Sequence, residues 1–168
     1  MSLTVEERRA RVVVERLPLV TYMVRLEAPS HAVFVSPQME SLFGFSSKEF
    51  EESPNFWECR MAPEDLPRFL AAFDELRETH GQMSVEYRVT ARDGREVWVR
   101  DIGVVDRDDD GEFYVHGYLT DVTREKELER ELAAERAQAA TFFRDSPTGM
   151  GIGTATDAIC ASTTRWPE

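Results

Sequence analysis

The run Glu86-Tyr87-Arg88-Val89-Thr90-Ala91-Arg92-Asp93-Gly94, continued by Arg95-Glu96-Val97-Trp98-Val99-Arg100-Asp101, constrains the fold more than any other part of the chain. Side chains alternate between two faces on both sides of Asp93-Gly94, and an Asp-Gly pair supplies the positive φ that a tight hairpin turn requires. One face carries Val85, Tyr87, Val89 and Ala91, then Val97, Val99 and Gly103; the other carries Glu86, Arg88, Thr90, Trp98 and Arg100. Asp108-Asp109-Asp110-Gly111 then returns the chain into a third strand, Glu112 to Thr120. That strand closes on Asp121-Val122-Thr123, where a charged helix begins. Antiparallel strands joined by short turns are the only economical reading of this pattern.

Upstream, Thr4 and Glu7 form a capping box for a helix over about Val5–Glu15, ended by Pro18. Val20 to Leu26 and Ala32 to Ser36 read as two strands. Ser36-Pro37 opens a short helix through Leu42, stopped by Gly44, and Ser46 or Ser47 with Glu49 caps another. Pro54 to Met61 is a third short helical segment. Pro63 to Thr79 is the longest helix before Thr123, with Leu66, Phe69, Leu70, Phe73 and Leu76 on one side and Gly81 ending it. Arg124 to Phe143 holds no Gly or Pro and is built mostly of Glu, Arg, Ala and Leu, with Thr123 as its N-cap. Leu128, Leu132, Ala139 and Phe142 follow a spacing that fits either the seam of a parallel homodimer or a solvated linker helix.

Taken in order, Phe34-Val35-Ser36-Pro37, Leu42-Phe43-Gly44-Phe45-Ser46, Ala62-Pro63-Glu64-Asp65-Leu66, Glu86-Tyr87-Arg88, Trp98-Val99-Arg100, Gly117-Tyr118-Leu119-Thr120 and the closing Asp121-Val122-Thr123 resemble the PAS sensory family in its PAS–PAC form. The resemblance covers roughly residues 14 to 124. It implies an α+β fold: a five-stranded antiparallel sheet with short helices on one face, flanked by N-terminal and C-terminal helices. The expected division is an N-terminal helix over 1–17, the PAS domain over 18–124, a linker or coiled-coil helix over 125–143, and the truncated start of a second PAS domain over 144–168. Phe142 to Gly153 is similar to the opening of such a domain, whereas Thr154 to Glu168 is patternless. One base inserted ahead of Thr154 lets the permitted codons spell a continuation of the domain, so a shifted reading frame and a disordered tail are the expectation.

The resemblance implies a cytoplasmic sensory and dimerisation module of a multidomain signalling protein, not an enzyme. It would bind a small ligand or a partner and relay the change through its C-terminal helix to an output domain outside this sequence. The alternative is a protein-interaction scaffold with a filled core. A formal net charge of −12 argues against nucleic acid and anionic membrane as partners. No apolar run approaches a membrane span, the N-terminus lacks the apolar core of a secretion signal, and Cys59 and Cys160 have no metal-ligand spacing. The usual nucleophile-elbow, phosphate-loop and zinc-protease motifs are missing, so no catalytic residue and no metal is expected.

Members of the PAS family enclose a space between sheet and helices. By parity, its lining here is Trp57, Phe69, Phe73, Tyr87, Val89, Val99, Val115 and Leu119. That set suits a small apolar ligand and equally suits a filled core. Asp101 interrupts the apolar face, placed either at a pocket mouth or at the twisted strand end. Cys59-Arg60 is similar to the cysteine pair of flavin-binding members, but the positions of their amide side chains hold Val89, Val99 and Leu119, which would leave the flavin's polar edges unpaired. Cys59 therefore reads as a small buried hydrophobe. His31, His80 and His116 are the conceivable haem ligands and read as surface or capping histidines. No cofactor is expected, with flavin and haem both disfavoured. The family ties its last strand to the following helix through an acid and a hydroxyl, here Asp121 and Thr123, with Arg100 as an ion-pair partner for Asp121; a plain N-cap is the alternative. Trp98, Ile102 and Val104 make the outer face unusually apolar, and the N-terminal helix of the same or a partner subunit is expected to cover them.

Overall fold

The hairpin at Asp93-Gly94 forms as the alternation requires. Gly94 takes a φ of 87°, and β3 (Gln82–Thr90) pairs with β4 (Glu96–Arg107) from Gln82↔Val104 to Thr90↔Glu96. The computed structural model describes residues 17–27, 32–53, 55–108 and 111–145, and side chains as far as 141. The expected N-terminal helix and the expected second-domain start therefore fall almost wholly outside the described residues.

With β1 (Val20–Arg25), β2 (Ala32–Val35) and β5 (Phe113–Asp121), the sheet is five-stranded in the order β2-β1-β5-β4-β3, every neighbour antiparallel. Burial follows the period-two pattern. Met83, Val85, Tyr87 and Val89 on β3 are buried, and so are Val97, Val99 and Asp101 on β4. Three helices connect β2 to β3: α1 (Gln38–Phe43), α2 (Ser47–Glu52) and α3 (Leu66–Thr79). Their apolar residues Met39, Phe43, Phe69 and Leu76 share one core with the inner face of the sheet. Each such large side chain withdrawn from water stabilises the fold by roughly 1.5–3 kcal/mol.

Local sequence explains where the helices stop. Gly44 ends α1 in the left-handed region at a φ of 79°. Ser46 and Glu49 make a reciprocal capping box on α2, and Arg92 from the hairpin also binds Glu49. The Ser46 backbone and then Arg92 hold the Glu49 carboxyl down at about 2. Two expectations change. Of the expected helix over Pro54 to Met61, the described residues form only a 3-10 turn at Glu58–Arg60, and α3 starts at Leu66, not at Pro63. Asp65 is the N-cap at that start, and its carboxylate does not cap the helix but is committed to Arg88 of β3, through the backbone N–H at 3.0 Å and Nε at 2.7 Å. Burial opposes the charge on Asp65, but these bonds outweigh it and keep the group below its ordinary value. The helix ends at Thr79 as expected, but its left-handed cap is His80, at φ 51°, and not Gly81.

β5 passes through Val122 directly into α4 (Thr123–Asp145). The chain divides into two compact units, one through Glu129 and one from Arg130; within the described residues the second is helical throughout. No helix among the described residues is long and apolar enough to cross a membrane.

Candidate functional site

Inner-facing residues stack in rows across the strands. One row is Tyr22–Gly117–Gly103–Met83 and the next is Val20–Leu119–Asp101–Val85. Two glycines facing each other in mid-strand leave a bare patch of backbone. Tyr22 fills it. A Cβ on Gly117 would lie 2.3 Å from Tyr22 Cζ and 2.7 Å from the Ile102 carbonyl oxygen, and one on Gly103 would lie 3.2 Å from Tyr22 Oη. The absence of both side chains lets the ring lie over the sheet and aim its hydroxyl at the adjacent row. There it donates to Asp101 Oδ1 at 2.7 Å.

Tyr87 donates to the other oxygen, Oδ2, at 2.8 Å, and Trp57 Nε1 donates to the Tyr87 hydroxyl at 2.7 Å. Asp101 is only 2 % exposed and lies in mid-strand, so the carboxylate sits in the core beside a cavity and not at a strand end. Burial pushes its carboxyl up to about 6, although the two tyrosine hydrogen bonds pull the other way. Burial, then the nearby carboxylate, raises both tyrosines well above their usual range. Hydroxyl donors can hold a carboxylate without neutralising it. The result is a buried acid whose only polar partners among the described residues are neutral.

A cavity of about 270 Å³ opens beside this group, lined by Tyr22, Trp57, Phe69, Phe73, Asp101 and Leu119 among others. Phe69 packs edge-on against Tyr87, with ring centroids 5.3 Å apart. Leu70 and Phe73 of α3 form the outer side, Leu70 being 46 % exposed. Of the residues expected to line a pocket, Trp57, Phe69, Phe73 and Leu119 do so. Tyr87, Val89, Val99 and Val115 are instead fully enclosed in the core behind the lining. Parity identified the face correctly but could not say which of its members meet empty space. Tyr22 and Asp101 were not among the expected lining; the sequence signal for Tyr22 was the inner-facing pair Gly103 and Gly117.

Cys59 is exposed, contrary to the expectation of a buried thiol. Phe56 and Trp57 take the inward positions of that turn, and Arg60 lies over the Phe45 and Phe56 rings. His80 stacks on Phe113 at 4.4 Å and does not line the cavity. Among the described residues no group of acids, histidines and cysteines is arranged to hold a metal ion.

At the junction, Thr123 N–H donates to Asp121 Oδ1 at 2.8 Å, and Thr123 Oγ1 accepts from Trp98 N–H at 3.0 Å. Val122 N–H donates to the Trp98 carbonyl at 2.8 Å. The start of α4 is thus stitched to Trp98 of β4 by one main-chain bond from Val122 and one bond to the Thr123 side chain. The expected Arg100–Asp121 pair is replaced, because Arg100 projects from the outer face while Asp121 belongs to an inner-facing row with Val99. Arg100 binds Glu86 at 2.8 Å and Glu125 at 2.9 Å, and Lys126 reaches Glu86 at 2.6 Å. Lys126 first, with burial opposing and Arg100 assisting, holds Glu86 below its ordinary value. On the outer face Val104 and Tyr118 are exposed, while Trp98 is half-buried with Arg88 and Lys126 over its ring. Leu128, Leu132 and Ala139 of α4 are exposed; the Phe142 side chain lies outside the described residues.

The family model described as PAS fold matches residues 32–119, just over half of the chain. Among solved structures, the N-terminal domain of a diguanylate cyclase with PAS/PAC sensor from Marinobacter aquaeolei is 28% identical, with 64% of this chain and 98% of that one covered at a TM-score of 0.57. A sensory box histidine kinase/response regulator from Burkholderia thailandensis E264 is 24% identical over 79% of this chain and 98% of that one, at a TM-score of 0.61. A domain of a putative light and redox sensing histidine kinase from Haloarcula marismortui is also 24% identical, covering 70% of this chain and all of that one at a TM-score of 0.55. No curated protein matches the chain.

Proposed function

The chain belongs to the PAS-fold family, and from that premise we propose that it is a ligand-responsive module that relays cavity occupancy to the helix leaving its last strand. The observation that carries this reading is shared support. β4 and β5 contribute Asp101 and Leu119 to the cavity wall, and the same two strands hold the first residues of α4 through Trp98 and Asp121. A ligand that spreads or tightens these strands alters the bonds that orient the helix. A cavity of about 270 Å³ also favours an occupant over a filled scaffold, since an apolar cavity of about 150 Å³ already takes up benzene.

The exposed Leu128 and Leu132 support a parallel homodimer through α4 as the receiving element. PAS sensor domains are generally non-catalytic, and the relayed change would act on an output domain, as the cyclase and kinase relatives suggest.

The test is an amide-shift titration of the whole chain with ring-sized fragments. Binding should move resonances of Phe69 and Leu119 and, with them, Val122 and Thr123. Asp121→Ala should keep the first group and lose the second. A fragment that fills the cavity and leaves Thr123 unmoved in the wild type refutes the relay. Failure of every fragment to bind returns the scaffold reading.

A further inference from the structure

The cavity's chemistry is not that of a purely apolar pocket, and this refines the ligand reading on which it rests. Three carboxylates, Glu58, Asp74 and Asp101, line it against one guanidinium, Arg77. Arg77 is committed to Asp74 of the same wall at 2.8 Å and to the Leu26 carbonyl at 3.1 Å, so its charge offsets Asp74 and not Asp101. Asp101 accepts one hydrogen bond on each oxygen, and a carboxylate has about four acceptor sites, so about half of its capacity is unused. Its charge meets no cation among the described residues, in a setting where water is scarce. The same cavity is lined by the rings of Tyr22, Trp57, Phe69 and Phe73. A cavity lined by both a carboxylate and aromatic rings rewards one class of molecule above others: a compact organic cation, attracted by the carboxylate and by the ring quadrupoles together.

We infer that the cavity binds a small protonated amine, its ammonium group against Asp101 and its apolar body among Trp57, Phe69 and Phe73. Benzene needs about 150 Å³, so about 270 Å³ has room for a ring with a short arm, on the scale of an arylalkylamine. Fatty acids and other anions are disfavoured by the same carboxylates. Neutral hydrocarbons gain only the burial of their surface and leave Asp101 uncompensated.

The groups that face Asp101 set the pH behaviour. They are Tyr22 from β1 and Tyr87 from β3, with Glu58 of the 3-10 turn and Asp74 and Arg77 of α3 on the cavity wall. Both tyrosines stay protonated through the neutral range. Because the Asp101 carboxyl titrates at about 6, the amine loses its counter-charge as pH falls through that value. The ammonium itself stays charged throughout.

The experiment is a titration of the whole chain with 2-phenylethylamine and with its uncharged isostere propylbenzene, followed by amide shifts of cavity residues. At about pH 8 the amine should bind about tenfold more tightly or better, a difference of about 1.4 kcal/mol. That preference should shrink at about pH 5 and disappear in Asp101→Asn. Propylbenzene binding as tightly as the amine would overturn the cation assignment while leaving the cavity a ligand site. Silence from both probes would overturn the cavity reading as well. Should Asp101→Asn fail to fold, the wild-type ratio and its pH dependence decide the matter alone.

Discussion

Glu86 and Asp101 occupy adjacent rungs of one strand pair, Glu86 opposite Arg100 and Asp101 opposite Val85, yet they face opposite sides of the sheet. On the outer side Glu86 is held by Lys126 and Arg100 and titrates below its ordinary value. On the inner side Asp101 is held by two phenols and titrates above it. Both carboxylates are hydrogen-bonded, so hydrogen bonding alone does not set the direction. What differs is whether a partner brings opposite charge and whether water remains to solvate the ion. One step along a strand is enough to reverse the sign.

The largest test of this contrast removes the route by which Tyr22 reaches Asp101. Gly117→Ala places a methyl group against the Tyr22 ring and the Ile102 carbonyl, and should cost about 3 kcal/mol in equilibrium denaturation. A loss well below about 1 kcal/mol would show that the row tolerates a side chain and that the ring's position is not imposed by it.

Next in size is the acid itself. The folded Asp101 carboxyl lies at about 6 against an ordinary 3.8, so it favours the folded state when protonated. That contribution is complete below about pH 4 and lost as pH rises through about 6. At about 1.4 kcal/mol per pH unit it amounts to about 3 kcal/mol. Asp101→Asn should remove this slope, and unfolding curves of wild type and variant between about pH 4 and 7 should diverge accordingly. Parallel curves would mean that the acid is not buried as described.

The smallest effect belongs to the outer face. Glu86→Gln should cost no more than about 1 kcal/mol, and less at high salt, because its partners are partly hydrated. Its sign is opposite: the folded value is lowered, so the stabilisation is present above the ordinary carboxyl value of 4.5 and fades as pH drops below it. A Glu86→Gln loss as large as that of Gly117→Ala would erase the distinction between the faces.

Much of this architecture was legible because it is set locally. Asp93-Gly94 dictated the hairpin, Ser46 and Glu49 the capping box, and Gly44 the end of α1. Parity separated the faces of β3 and β4 without error. The site was harder to read for a physical reason. Asp101 acquires its character from Tyr22, 79 positions away, through a ring laid over two glycines, and such a contact has no local signature. The Arg100–Asp121 pairing failed on parity that was available in the sequence, since residues on opposite faces of a pleated sheet do not meet. Cys59 illustrates another limit: in a short 3-10 turn, neighbouring Phe56 and Trp57 compete for the interior and the smaller side chain yields.

The bare row beneath Tyr22 also constrains the mutational paths open to this chain. A methyl group at position 117 meets both the Tyr22 ring at 2.3 Å and the Ile102 carbonyl oxygen at 2.7 Å, so trimming position 22 removes only one of its two obstacles; at position 103 the nearest atom is Val115 Cγ1 at 2.9 Å, with Tyr22 Oη at 3.2 Å. Divergence at these sites is therefore coupled: position 117 gains a side chain cheaply only where position 22 gives way and the Ile102 backbone shifts with it, and position 103 only where Val115 yields.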